Sequence, residues 1–154
     1  MILADKTIRQ YIDTGKINVN PHPLQAQYQP ASLDLRIGKE TYHPKTDTYD
    51  DSVEIEPGQF KLGHTLEHIT LPNDIAALVA GRSSVGRKGL LIHTVAGWID
   101  PGFSGQITLE LANVGDKVIS FDEGKRVGQI VFFPLDQESD GYDGQYQNQT
   151  GATI

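Results

Sequence analysis

The sequence predicts an all-β protein, a distorted β-barrel carrying one or two short helices. Two features lead there: short runs of strand character recur along most of the chain, and Pro-Gly turn signals punctuate them. The 16 Gly and 8 Pro among 154 residues suit that many turns. A chain of this length buries roughly 68–70% of its unfolded surface, enough for one core. A single domain over residues 1–154 is therefore expected.

The first element is the exception to the β pattern. Ile8, Tyr11 and Ile12 form an i, i+3, i+4 stripe between Ala4 and Gly15, with Asp5 or Thr7 as the expected cap and Gly15 as the stop. Beyond it the period becomes two. Leu33, Leu35 and Ile37 alternate with Asp34 and Arg36. Further strands are expected at Val53 to Ile55, Phe60 to Leu62, Ile69 to Leu71, Ala76 to Ala80, Ile107 to Leu111, Lys117 to Phe121 and Val127 to Phe133. Glu56–Pro57–Gly58 and Asp100–Pro101–Gly102 mark turns. A second helix fits only between Arg82 and Leu91. From Asp136 onward the chain is polar, with Gly, Gln, Asn and Tyr but no apolar periodicity. Residues 136–154 read as an arm that orders only against a ligand or a neighbouring subunit.

Composition restricts the chemistry. With no Cys there is no disulfide framework, no thiolate nucleophile and no Cys-ligated zinc. A formal net charge of −7 argues against a nucleic-acid partner, which would want a basic face. It leaves room for an anionic small molecule held by a local cation cluster. No apolar run approaches the roughly 18–20 residues of a membrane span, and the N-terminus lacks the apolar stretch of a signal peptide. A cytoplasmic protein with no membrane partner is expected.

Three segments could carry chemistry. His64–Thr65–Leu66–Glu67–His68 has the H-x-x-E-H spacing of an inverted zinc-protease motif. That chemistry needs both histidines one turn apart on a helix. Gly63 before the pentad and Ile69–Thr70–Leu71–Pro72 after it favour extended structure, so no metal site is expected there. The second segment, Gly81 to Gly89, gathers Arg82, Ser83, Ser84, Gly86, Arg87 and Lys88 in an acidic chain. Arginine forks and exposed backbone N–H groups suit phosphate oxygens, although a solvated turn has the same composition. In the third, Ile107, Leu109 and Leu111 share one strand face and leave Thr108 and Glu110 on the other. Glu110 there is either a solvated carboxylate or a functional one, while His93 and Trp98, beside apolar neighbours, read as packing groups.

Taken together these segments resemble the superfamily of deoxycytidine triphosphate deaminases and trimeric dUTPases. The similar stretches run in order through Gln29–Pro30–Ala31–Ser32–Leu33–Asp34–Leu35–Arg36–Ile37–Gly38, Pro57–Gly58–Gln59–Phe60, Thr65–Leu66–Glu67 and Arg82–Ser83–Ser84–Val85–Gly86–Arg87. They continue through Ala96–Gly97–Trp98–Ile99–Asp100–Pro101–Gly102–Phe103, Ile107–Thr108–Leu109–Glu110–Leu111, Gly128–Gln129 and Tyr146–Gln147–Asn148–Gln149–Thr150–Gly151. The resemblance implies the distorted barrel, a homotrimer with sites between subunits, and a C-terminal arm over residues 136–154 that closes over the nucleotide.

It also implies roles. Most nucleobase deaminases use a His/Cys-bound zinc, whereas the similar enzymes activate water with a glutamate at the Glu110 position. Glu110 would take a proton from water attacking C4 of cytosine, deliver it to N3, and later protonate departing ammonia. Ser83 and the backbone carbonyl of Ala96 would position the water, and Arg87 would stabilise developing charge. Arg82, Ser84, Val85 and Gly86 would complete the phosphate loop of a neighbouring site. Thr108, Leu109, Gln145, Tyr146 and Gln149 would join the nucleotide contacts, and Asp100 would hold the deoxyribose 3′-hydroxyl. In related dUTPases the aspartate at that position also orients a water for attack on the α-phosphorus, with Mg²⁺ carried by the triphosphate rather than by protein ligands. The stretch from Ala96 to Asp100 looks more like the bifunctional members that turn dCTP into dUMP. A dUTPase alone on the same scaffold is the alternative. Two departures from the pattern, Val95 for a Thr and Gln145 for a Lys, bear on the water pocket, the grip of the arm and feedback inhibition by dTTP.

Overall fold

The computed structural model describes residues 1–93 and 96–154. Helix α1 (Asp5–Asp13) buries Ile8 and Ile12 of the expected stripe. It starts from Ala4 with no side-chain cap, so neither Asp5 nor Thr7 caps it; Asp5 instead places an anion in the first turn, where the helix dipole favours one. Gly15, at φ 76°, takes the left-handed conformation that ends the helix. The strands are β1 (Asn18–Asn20), β2 (Tyr28–Gln29), β3 (Ser32–Arg36), β4 (Thr41–His43), β5 (Thr48–Asp50), β6 (Val53–Ile55), β7 (Phe60–Thr70) and β8 (Ile75–Gly81). A single-turn helix α2 (Ser83–Gly86) follows, then β9 (Leu90–Ile92), β10 (Trp98–Ile99), β11 (Ser104–Asn113), β12 (Ile119–Phe121) and β13 (Arg126–Pro134).

The all-β class holds, with two short helices as expected. Among the described residues, one sheet runs β5-β4-β7-β11-β9 with β1 paired to β7, a second runs β10-β8-β13-β3-β2, and β12 pairs with β6. Every ladder is antiparallel. One core of buried Ile, Leu, Val and Phe side chains serves both large sheets, with Leu33, Leu35, Ile69, Ile107, Leu109, Ile130 and Phe132 essentially inaccessible.

Among the described residues the sheets do not close into a continuous barrel. Where β3 approaches β7, a lone antiparallel bridge joins Ile37 to Thr65 and no ladder extends from it. The reason is a side chain in the seam. Glu67, fully buried, accepts the backbone N–H of Arg36 at 3.0 Å, the Arg36 Nε–H at 2.7 Å and the Gln27 amide at 2.9 Å. A carboxylate so surrounded takes the hydrogen bonds that a neighbouring strand would otherwise take. The same residues dispose of the zinc-protease spacing. His64 and His68 lie on β7, four residues apart at about 3.3 Å per residue, too far to share an ion.

Candidate active site

Strand β11 alternates without a break, Gly105, Ile107, Leu109, Leu111 and Asn113 buried and the residues between them partly exposed. Its register on β7 sets Thr108 opposite His64 and Glu110 opposite Leu62. The partly exposed face forms the floor of a cavity of about 410 Å³, within the usual range for small-molecule sites of about 300–1,000 Å³. Ala96, Asp100, Thr108, Glu110, Tyr146 and Gln149 all line it, together with His93, Trp98, Phe103 and Tyr142. Apolar rings thus face two carboxylates across one small space.

The phosphate-loop candidates sit elsewhere. Gly81, Arg82, Ser83 and Gly86 line a second, more open cavity of about 420 Å³, which meets the first at His93. Helix α2 exposes Ser83, Ser84 and Gly86, and Arg87 follows exposed at its end, while Val85 is driven into the core. Arg82 is aimed by its neighbours: its Nε meets Asp34 Oδ2 at 3.2 Å and a terminal N–H donates to the Arg126 carbonyl at 3.2 Å. Arg126 also meets Asp34 Oδ2, at 3.1 Å. Burial pushes the Asp34 carboxyl up from its ordinary value, against the opposing pull of Arg82 and Arg126.

His93 separates the two cavities. Its backbone N–H donates to the Glu110 carbonyl at 3.1 Å and its φ is 59°. Neither ring nitrogen has a hydrogen-bond partner among the described residues. Burial holds the imidazole below the usual histidine range, although the Glu110 carboxylate draws it the other way. A neutral ring therefore stands beside the carboxylate.

The arm is seated on its own chain. Gln147 spans three groups, accepting from the Ser104 backbone at 2.8 Å and donating to the carbonyls of Gly102 at 2.9 Å and Tyr142 at 3.2 Å. Asn148 donates to the Ser104 carbonyl at 2.7 Å, and the Gln149 carbonyl accepts from Gln106 at 2.9 Å. Gly151 and Thr153 donate to the side chains of Gln106 and Thr108. The arm thereby takes the free edge of β11 beyond the reach of β9, joined by a parallel bridge between Gly105 and Gln149. This differs from the expectation of an arm that orders only on a ligand or neighbour. The arm needs no apolar pattern because its backbone, with the Gln147 side chain, makes the hydrogen bonds that seat it on this edge.

The dCTP deaminase-like family model matches residues 2–135, most of the chain. The chain belongs to the dCTP deaminase-like family. It is 40% identical to a Methanosphaera stadtmanae protein named "dCTP deaminase, dUMP-forming", over 99% of this chain and 92% of that one. A Dictyoglomus thermophilum protein of the same name is 41% identical over 99% and 93%. Among solved structures, the 2′-deoxycytidine 5′-triphosphate deaminase of Agrobacterium tumefaciens superposes with a TM-score of 0.72 at 26% identity, covering 85% of this chain and 47% of that chain, so the likeness spans about half its length. The EIAV dUTPase, 23% identical and with a TM-score of 0.60, shares the fold over 85% of this chain and 98% of its own.

Within this dCTP deaminase-like frame the anticipated residues divide. Ala96, Asp100, Thr108, Glu110, Tyr146 and Gln149 come together around one cavity. Ser83 and Arg87 do not line it within a single chain, and Gln145 is exposed beside it without lining any of the cavities described. Leu109 and Val85 are core side chains and can meet a ligand only through their backbone. Val95 lies outside the described residues. His93 and Trp98, read from sequence as packing groups, are cavity walls instead. The signal for Trp98 was its two-residue offset from Asp100, which in extended chain puts both side chains on one side. Among the described residues no group of three His, Asp or Glu side chains is placed to hold a metal ion, and no helix is long and apolar enough to cross a membrane.

Proposed function

We propose that this chain hydrolyses dCTP to dUMP, releasing ammonia and diphosphate. The observation that carries the reading is the placement of Glu110 on the floor of a nucleoside-sized cavity, with Asp100 on its wall. Glu110 accepts a proton from water as the water oxygen bonds to C4 of cytosine, and passes it to N3. It then shuttles the proton that lets the C4–N4 bond break and ammonia leave, and the ring becomes uracil. The Ala96 carbonyl orients the attacking water. For the second step Asp100 holds the 3′-hydroxyl and orients a water toward the α-phosphorus, whose bond to the bridging oxygen of diphosphate breaks.

Ser83 and Arg87 serve this chemistry from a neighbouring copy in a homotrimer, since their own chain keeps them out of the Glu110 cavity. Arg82, fixed by Asp34, presents its fork to the phosphates of that neighbouring site. The donor set suits a magnesium ion brought in by the triphosphate rather than one caged by protein, because Mg²⁺ is commonly held by substrate phosphates with one or two carboxylates. Bound there, it would neutralise charge building on the leaving diphosphate. The arm, through Tyr146 and Gln149, closes the cavity over the nucleotide, and dTTP is the candidate feedback ligand of the same space.

The test is to incubate the protein with dCTP and with dUTP in Mg²⁺, resolving ammonia, dUTP, dUMP and diphosphate. Conversion of dCTP to dUMP is expected. Glu110→Gln should lower ammonia release by about 10²–10⁴-fold while leaving dCTP binding in place. Hydrolysis of dUTP with no attack on dCTP would leave a dUTPase alone.

A further inference from the structure

Trp98 stands two residues before Asp100 on the same face of the chain, and its indole Nε1–H donates to Asp100 Oδ1 at 3.1 Å. The residue is 54% exposed, an unusual position for so large an apolar group, yet it is firmly placed. Its backbone pairs with Leu78 of β8, and its face lies against Phe133, with centroids 5.8 Å apart and planes inclined at 35°. Both Trp98 and Asp100 line the Glu110 cavity.

This arrangement constrains the carboxylate in a specific way. The outer torsion of an aspartate is broad, so an exposed Asp100 alone would present its two oxygens over many orientations. An indole N–H can donate but cannot accept, so it occupies one oxygen of the carboxylate. The other oxygen is then the acceptor left facing the cavity. We infer that Trp98 is a positioning residue: it clamps Asp100 so that Oδ2 accepts from the sugar 3′-hydroxyl, and thereby sets the preference for nucleotides that carry that hydroxyl. The inference rests on the reading of Asp100 as the sugar anchor.

Trp98→Phe keeps a ring against Phe133 and removes only the N–H donor. The measurement is calorimetric binding of the non-hydrolysable α,β-imido analogue of dUTP and of its 3′-deoxy counterpart, to wild type, Trp98→Phe, Asp100→Asn and the double variant. Wild type should prefer the 3′-hydroxyl analogue. Trp98→Phe should narrow that preference by about tenfold, as loss of one hydrogen bond to a charged group would. It should narrow it no further when Asp100 is already Asn. A purely structural role would weaken both analogues equally and leave their ratio unchanged, which would overturn the inference. Wild-type protein that binds neither analogue would overturn the nucleotide reading itself, a result separable from wild-type binding with an unchanged ratio in Trp98→Phe.

Discussion

His93 combines two features that rarely coincide. Its φ of 59° lies in the left-handed region that non-glycine residues occupy in only a few per cent of cases, with Asn, Asp and His enriched there. Its ring is buried without a hydrogen-bond partner among the described residues. The second feature has a direct pH consequence. The folded-state proton affinity is depressed by burial, so below the unfolded value of about 6.5 the unfolded chain binds the proton more readily. The associated stability is present above about pH 6.5 and is lost as pH falls through the lower folded value. His93→Asn tolerates the same backbone conformation and does not titrate. Chemical denaturation between pH 7.5 and 5 should therefore show a smaller loss of midpoint in His93→Asn than in wild type; parallel curves would mean that His93 takes no part in acid sensitivity.

At the scale of elements, what was readable in the sequence followed from how strictly each segment obeyed one period. β11 was visible because Ile107, Leu109 and Leu111 alternate with polar residues, and the same alternation pointed Glu110 at the cavity. β7 was seen only as two short ends. Its centre carries His64, Thr65 and Glu67, which are buried and satisfied by specific partners, so its polarity looked like a loop. Strands β1, β9 and β10, of two or three residues, hold too few positions for a period to register, whereas β6, equally short, was marked by its apolar ends and the Glu56–Pro57–Gly58 turn after it. The arm escaped for another reason: its order comes from hydrogen bonds to the edge of β11, which have no apolar signature. Gly105 makes that approach possible. A Cβ there would stand 3.1 Å from both the backbone N and O of Gln149 and 3.0 Å from the Phe103 ring. Gly105→Ala should cost about 1–3 kcal/mol, concentrated on the arm rather than on the core. Faster proteolytic cleavage within residues 136–154 and a raised KM are expected, with the melting temperature of the body little changed. Cleavage at the wild-type rate would show that the arm does not depend on that contact.

For the molecule as a whole, the residues proposed to act together lie around two cavities of one chain. Glu110, Asp100 and Ala96 face one cavity, and Arg82 and Ser83 face another across His93. No reading of a single sequence distinguishes residues that meet within a chain from residues that meet between copies, because both appear only as motifs in order. The distinction has a quantitative test. If each working site takes Glu110 from one copy and Ser83 from its neighbour, Glu110→Gln and Ser83→Ala chains are each inactive alone but complementary. In a ring of randomly mixed chains, a site is intact when the copy giving Glu110 is the Ser83→Ala chain and the copy giving Ser83 is the Glu110→Gln chain. At equal proportions that holds for about a quarter of the sites. Dissociating and reassembling an equimolar mixture should therefore restore about 25% of wild-type ammonia release, whereas sites built within one chain would restore none. Sedimentation of the same mixture checks that the copies have reassembled, so zero recovery in an assembled trimer would place Ser83 and Glu110 in the same chain's chemistry.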